Sequence, residues 1–119
     1  DAKINNHETV VLWGSGTPMR EFIFVDDLAD GIVFAFENNL QEDIYNIGTG
    51  KDLTIKDLAL LIQHIVGHQG EIFWDSSKPD GTPRKLMDSS RLFATGWKPK
   101  TALEEGIALA YQDFLNRKL

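Results

Sequence analysis

The sequence predicts a mixed α/β domain, and three observations support this. Short β-branched and apolar runs end at glycine-rich turns, as residues 10–13 do before residues 14–18. Longer segments repeat apolar residues at helical spacing, as in residues 55–65. Both kinds of segment alternate along the chain, which is typical of mixed folds. With 119 residues, 42% apolar and 25% charged, the chain suits one globular domain, residues 1–119.

Four segments are predicted to be extended because they are short, apolar or β-branched, and bounded by turn-forming residues. They are residues 10–13, 20–25, 44–47 and 71–74. Residues 75–84 hold two prolines and a glycine, so they are predicted to form a surface loop.

Four helices are predicted from capping residues and apolar spacing. The first is capped by Asp26 or Asp27 and ends at residues 38–39, and the second runs from a Thr54 cap to Gly67. A short third helix lies between residues 88–90 and Gly96, and the fourth follows a capping box formed by Thr101 and Glu104. The phenylalanines are predicted to pack in the core, namely Phe22, Phe24, Phe34 and Phe36.

Composition excludes several classes of function. Lys and Arg number 12 against 18 Asp and Glu, a net charge of −6, which argues against a nucleic-acid-binding surface. The sequence contains no cysteine, which excludes disulfides and fits a cytoplasmic location. No membrane span or export signal is predicted. The polar start without an initiator Met indicates a piece of a longer protein.

The glycine pairs do not complete a dinucleotide-binding fingerprint. Gly14-Ser15-Gly16 is followed at the third position by Met19, and Gly48-Thr49-Gly50 by Leu53, where the motif needs glycine. We therefore expect no complete Rossmann domain and no cofactor site on this chain. His64 and His68 stand four residues apart, but Gly67 interrupts the helix and no third ligand is evident, so no metal site is predicted.

Two segments carry unusual local chemistry. Residues 13–22 place the indole of Trp13 and the guanidinium of Arg20 on either side of a glycine turn. Residues 76–85 combine cations with Asp80 in a loop constrained by proline. Guanidinium groups suit a diphosphate, a carboxylate accepts hydrogen bonds from sugar hydroxyls or a guanine edge, and an indole can cover a ring.

Each of these side chains also has an ordinary structural interpretation. Trp13 could pack at a strand end, and Arg20 could pair with a surface carboxylate. Asp80 precedes Gly81 as in many turns, while Arg84 and Lys85 could be a solvated pair of charges.

Four motifs in order resemble the carboxyl-terminal half of the GDP-L-fucose synthases. They are Trp-Gly-Ser-Gly-Thr-Pro-Met-Arg-Glu-Phe at residues 13–22, Val-Asp-Asp at 25–27, Tyr-Asn-Ile-Gly-Thr-Gly at 45–50 and Lys-Pro-Asp-Gly-Thr-Pro-Arg-Lys at 78–85. Most are shared by extended short-chain dehydrogenase/reductases that act on nucleotide sugars, and the last narrows the resemblance to the fucose synthases.

The resemblance implies the small substrate-binding domain of an enzyme that converts GDP-4-keto-6-deoxy-D-mannose to GDP-L-fucose, by 3,5-epimerisation and NADPH-dependent 4-reduction. It implies that Trp13, Arg20 and Asp80 contact the GDP-sugar, with Lys85 and Arg84 as additions. The NADP(H) site and the catalytic residues would belong to an amino-terminal Rossmann domain. No catalytic residue is expected here, because no Tyr-x-x-x-Lys motif occurs. The chain alone is expected to be inactive and to self-associate as a homo-oligomer.

Two other interpretations stay open from the sequence. One is the substrate domain of a different nucleotide-sugar epimerase or dehydratase that uses UDP- or dTDP-sugars. The other is a non-enzymatic interaction module that kept the fold. Neither needs a membrane or a nucleic acid as a partner.

Overall fold

The computed structural model describes residues 1–117, which form five strands and four helices. The strands are β1 (Thr9–Trp13), β2 (Met19–Glu21), β3 (Asp52–Thr54), β4 (Glu71–Asp75) and β5 (Arg84–Lys85). The helices are α1 (Val25–Glu37), α2 (Ile55–Val66), α3 (Ser90–Ala94) and α4 (Leu103–Asn116). The predicted mixed α/β class is confirmed. Among the described helices, none combines the length and apolar character that a membrane span needs.

Strands β1 and β4 form a parallel two-stranded sheet, in which Trp13 lies opposite Asp75. The pairing continues one residue further, since the backbone N–H of Gly14 donates to the carbonyl of Asp75 at 3.0 Å. Both strands therefore end at the same edge, and the segments that follow them leave the sheet side by side.

The second sheet has the order β3-β2-β5, with β2 antiparallel to β3 and parallel to β5. The predicted strand at residues 44–47 is wrong, because that segment has no paired strand. Residues 52–54, which end at the predicted helix cap Thr54, form the strand β3 beside β2 instead. The strand predicted at residues 20–25 is shorter in the structure, where β2 spans Met19–Glu21 and Val25 already begins α1. Tertiary pairing overrides local propensity here.

The predicted cap of α1 by Asp26 or Asp27 is wrong, because Phe24 is the N-cap residue and makes no side-chain capping bond. Asp27 is buried and accepts hydrogen bonds from the residues just before α4 instead. Its carboxylate accepts from the backbone N–H groups of Lys100 and Thr101 at 3.1 and 2.8 Å, and from the hydroxyl of Thr101 at 3.2 Å. Asp27 therefore fixes the entry to α4.

The predicted ends of α2 are confirmed. The hydroxyl of Thr54 accepts from the backbone N–H of Asp57 at 3.0 Å, and Gly67 ends the helix in the left-handed conformation. The capping box predicted for α4 is wrong, because Ala102 is its N-cap residue and the hydroxyl of Thr101 donates to Asp27.

The described chain has a small core and a large apolar surface. Leu92 and Trp97 are its buried hydrophobic residues. The accessible surface is 8713 Å², whereas a compact monomer of 13.4 kDa exposes about 6500 Å². The radius of gyration, 17.1 Å, likewise exceeds the value of about 13.5 Å for a compact chain of this length. Phe36 was predicted to be core and is 92% exposed, so that prediction is wrong.

We predict that Asp27→Ala lowers the free energy of unfolding by about 2 kcal/mol, because it leaves three donors around Lys100 and Thr101 without their charged acceptor. Urea unfolding followed by circular dichroism measures the change. Asp26→Ala is the matched control, since Asp26 is the neighbouring exposed acid in the same helical turn. Equal effects of both variants would show that charge near the helix start, rather than the bonds of Asp27, carries the stability.

We also predict that the chain self-associates and that Phe36→Asp shifts it towards the monomer. Phe36, Ile32 and Val33 expose apolar surface on α1, and an exposed patch of this kind is normally covered by another surface. Light scattering over a concentration series measures the mass. A wild-type chain that stays monomeric at millimolar concentration would contradict the prediction.

Candidate functional site

Two segments meet at the shared edge of β1 and β4. We call residues 14–18 the glycine turn and residues 76–83 the polar loop. The polar loop is fixed at its start by the pairing of β4 with β1, and at its end by the pairing of β5 with β2. The backbone N–H of Met19 also donates to the carbonyl of Pro83 at 2.8 Å. A loop held at both ends presents its side chains in a defined arrangement.

Asp80 ties the middle of the polar loop to the glycine turn. One carboxylate oxygen, Oδ1, accepts from the backbone N–H of Ser15 at 2.8 Å, and the other, Oδ2, accepts from the Ser15 hydroxyl at 2.6 Å. The hydrogen bond from the Ser15 side chain is the main reason that the pKa of Asp80 lies below its usual value, and the bond from the Ser15 backbone lowers it further. The carboxylate is thus ionised at neutral pH.

The two glycines of the turn permit this close approach. Gly14 and Gly16 both have positive φ, 81° and 76°, which L-residues with side chains rarely adopt. A Cβ on Gly14 would collide with the carboxylate of Asp80, and a Cβ on Gly16 would lie 2.8 Å from the ring of Trp74. The turn therefore lies directly against Asp80 on one side and against Trp74 on the other.

Trp13 stands at the end of β1 with 74% of its surface exposed. The ammonium nitrogen of Lys78, from the polar loop, lies 5.7 Å from the centre of its ring, within the range of a cation–π interaction. An exposed indole beside this cation offers a flat apolar surface next to a positive charge.

Arg20 and Lys85 are opposite each other on the parallel strands β2 and β5. Paired residues on neighbouring strands direct their side chains to the same face of a sheet, so two cations share this face. The polar loop crosses Arg20, since a Cβ on Gly81 would lie 3.1 Å from its Nη2 atom. The Nη1 atom of Arg20 donates to the carbonyl of Met19 at 2.6 Å, which steadies the guanidinium.

Arg84 faces the other way, because side chains alternate along a strand. Its Nε and Nη2 atoms donate to the two carboxylate oxygens of Asp52, at 2.6 and 3.1 Å. This bidentate pair holds the pKa of Asp52 below its ordinary value and raises that of Arg84. The guanidinium of Arg84 is thus engaged in joining β5 to β3 across β2.

The structure therefore brings three of the five predicted site residues, Trp13, Arg20 and Asp80, to the region where the glycine turn meets the polar loop. Lys85 lies opposite Arg20 on β5, and Arg84 lies on the other face of that sheet. Their role in binding stays a prediction.

Sequence reasoning missed two side chains of this region, Ser15 and Lys78. The position of Ser15 between two glycines was the available signal, since serine in a tight turn often bonds a nearby polar group. Lys78 was noted only as one cation among several in its segment, because nothing in the sequence indicates that it lies over Trp13.

The described residues do not fit a dinucleotide cofactor. Such a cofactor needs a glycine-rich turn that opens a helix, whereas residues 14–18 lead into β2 and residues 48–50 lead into β3. Residues 1–117 also contain no cluster of three or more acidic or histidine side chains that could hold a metal ion. His68, which stands four residues after His64 in the sequence, has its Nε2 atom 2.9 Å from the carbonyl oxygen of His7, so its ring contacts the backbone.

A groove in the described part of the chain lies away from this region. It has a volume of about 1080 Å³ and runs between α2, α4 and residues 22–25. Its lining is mainly apolar and includes Leu58, Ile62 and Ile107. Three lysines, Lys51, Lys98 and Lys100, also line it.

Comparisons with known proteins give first a class and then a set of relatives. Residues 2–48 match the NAD dependent epimerase/dehydratase family. The chain is also similar in sequence to curated GDP-L-fucose synthases. It is 50% identical to GDP-L-fucose synthase 1 of Arabidopsis thaliana over 115 residues, which are 97% of this chain and 36% of the relative. The chain thus spans about a third of the length of the curated relatives it matches.

Solved structures agree with this placement. GDP-mannoheptose C4 reductase from Campylobacter jejuni, solved with NADP bound, is 38% identical with a TM-score of 0.78, over 91% of this chain and 35% of that one. UDP-glucose 4-epimerase from Thermotoga maritima, solved with UDP-glucose, is 27% identical with a TM-score of 0.83, over 98% of this chain and 37% of that one. The fold is therefore shared by enzymes that differ in the nucleotide they use.

Proposed function

We propose that residues 1–119 form the GDP-sugar-binding, carboxyl-terminal domain of an enzyme that converts GDP-4-keto-6-deoxy-D-mannose to GDP-L-fucose. The observation that carries the proposal is the convergence of Trp13, Arg20 and Asp80 where the glycine turn meets the polar loop. The homology to GDP-L-fucose synthases supports the same ligand class.

Each group has a role that suits its chemistry. Arg20 and Lys85, side by side on one face, suit the two negative charges of a diphosphate. The exposed ring of Trp13 suits stacking against the base or the sugar. The ionised Asp80 can accept from N–H or O–H groups of the ligand, because two of its roughly four acceptor positions are used by Ser15. Arg84 supports the site indirectly by holding β5 to β3.

The remaining chemistry belongs, in this proposal, to an amino-terminal Rossmann domain. That domain would bind NADP(H), which supplies hydride for the 4-reduction, and would carry the acid and base for the 3,5-epimerisation. The role of this chain is to hold and orient the GDP-sugar and to exclude water from one side of it. Alone it is inactive.

A binding site shared between two domains predicts weak binding by this chain alone, with a dissociation constant for GDP-mannose of about tens of micromolar or higher. A ligand between two domains loses the contacts of one side when that domain is absent. Isothermal titration calorimetry measures the constant. Submicromolar binding would contradict the proposed two-domain site.

A second candidate is an enzyme of the same class whose nucleotide-sugar substrate carries a nucleobase other than guanine. The likeness to a UDP-glucose 4-epimerase favours this candidate. Thermal shifts with GDP, UDP and dTDP ligands separate the two candidates, since only a ligand that binds the folded chain raises its melting temperature.

We predict that Arg20→Ala weakens GDP-mannose binding about tenfold or more, because a charge-assisted hydrogen bond to phosphate contributes about 1.5–3 kcal/mol. An NMR titration of the chain measures affinities in this range. Arg91→Ala is the control, since Arg91 is an exposed cation on α3 that lies 3.9 Å from Glu42. Equal affinities of the Arg20 and Arg91 variants would exclude Arg20 from the site.

A further inference from the structure

The carboxylate of Glu21 joins three segments of the chain. Its Oε1 atom accepts from the backbone N–H of Gly50 at 2.7 Å, and its Oε2 atom accepts from the backbone N–H of Met87 at 3.2 Å. The hydroxyl of Thr49 lies 3.4 Å from Oε1. Because Glu21 belongs to β2, this one side chain ties that strand to the turn at residues 48–50 and to the segment that follows β5.

These bonds give a structural role to a motif that the candidate site leaves unexplained. Residues 45–50 carry Tyr-Asn-Ile-Gly-Thr-Gly and form no strand, and they lie against Glu21. A Cβ on Gly48 would lie 2.5 Å from the Oε1 atom of that side chain, so glycine permits the close approach. The side-chain amide of Asn46 donates to the carbonyl of Asp88 at 3.0 Å. The motif is therefore fixed both to β2 and to the chain just after β5.

The strand β5 depends on bonds at its ends because it is short. Its parallel pairing with β2 covers two residue pairs, the second of which is Lys85 with Arg20. On one side of these pairs, the carbonyl of Pro83 accepts from the first residue of β2. On the other side, the carboxylate of Glu21 accepts from the backbone N–H of Met87. The Glu21 bond therefore fixes the carboxyl-terminal end of β5 beside β2.

The ion pair between Arg84 and Asp52 also joins β5 to the sheet, but it acts through a long side chain. An arginine side chain has several rotatable bonds, so its guanidinium can keep the pair while the strand backbone shifts. A bond to the backbone N–H of Met87 restrains the strand itself, two residues beyond Lys85. Glu21 is thus the contact that acts most directly on the position of Lys85.

We propose that Glu21 is a positioning residue that holds Lys85 beside Arg20, so that two neighbouring cations meet two linked phosphate groups. The proposal rests on the proposed function, in which this pair of cations binds the diphosphate. Successive side chains of a strand point to opposite faces, so the carboxylate of Glu21 lies away from the ligand and acts through β5. Without it, Lys85 moves relative to Arg20. A diphosphate then loses the second of its two cations, whereas a monophosphate, which needs one, is bound as before.

The test compares the affinities for GDP and GMP, which differ by one phosphate group. NMR titrations of the full chain give the ratio of the two dissociation constants for each variant. We expect Lys85→Ala to lower the preference for GDP about tenfold, which is the typical loss for a hydrogen bond to a charged group. We expect Glu21→Ala to lower it about threefold or more, because Lys85 is still present but displaced. Glu21→Gln keeps one acceptor oxygen and should give an intermediate loss.

Asp27→Ala is the matched control for lost stability. Asp27 is also a carboxylate that accepts from two backbone N–H groups, but these belong to Lys100 and Thr101 at the entry to α4. This variant should unfold more easily than the wild-type chain and keep the full preference for GDP. Circular dichroism checks that each variant is folded at the temperature of the titration.

A double-mutant cycle adds a readout that a general loss of stability would not change. If Glu21 acts through Lys85, then Glu21→Ala lowers the preference for GDP in the wild-type chain and has no further effect once Lys85 is replaced by alanine. Additive losses in the double variant would show that Glu21 acts by another route.

The outcomes separate the inference from the proposed function. A wild-type chain that binds GDP no better than GMP overturns the proposed diphosphate site. A wild-type preference that either Lys85→Ala or Glu21→Ala leaves intact overturns only the role of Glu21, as does an equal loss of both nucleotides in Glu21→Ala or the same loss in Asp27→Ala. If Glu21→Ala does not fold, Glu21→Gln replaces it in the cycle, and an undiminished preference for GDP in that variant overturns the inference.

Discussion

The parallel pairing of β1 with β4 is the constraint on which the candidate site depends. Because Trp13 lies opposite Asp75, two segments more than 60 residues apart in sequence leave the sheet at one edge. The pairing of β5 with β2 then returns the polar loop to the residues that follow the glycine turn. Without the parallel register, Trp13, Arg20 and Asp80 would have no reason to share one region of the surface.

The two faces of the second sheet differ in charge. One face carries two cations that suit an anionic ligand, although the chain as a whole is acidic. The net charge is −6, yet Arg20 and Lys85 stand together on one face. On the other face Arg84 is neutralised by Asp52, whose side chain is only 6% exposed. One cation thus stabilises the sheet, and two remain available to phosphate groups. Local charge, rather than net charge, decides which ligands a small site can attract.

Local signals in the sequence were reliable where a helix end depends on its own residues, as at Thr54 and Gly67. They failed where a distant partner decided the outcome. Thr101 bonds Asp27 instead of capping α4, and β3 forms only because β2 lies beside it. The same division holds for the site. The side-chain chemistry of Trp13, Arg20 and Asp80 indicated a ligand, whereas the contact between Ser15 and Asp80 spans 65 positions and could not be predicted from spacing.

Mapping the contact surface by NMR tests the central claim most directly. Backbone amide and indole N–H shifts of the chain are followed while GDP-mannose is added to saturation. The account predicts that the largest shifts fall at the Trp13 indole, Ser15, Arg20 and Gly81. Saturable shifts confined to the apolar groove around Leu58 and Ile107, or to the buried Trp97, would contradict the account, because they would locate the ligand away from the glycine turn and the polar loop.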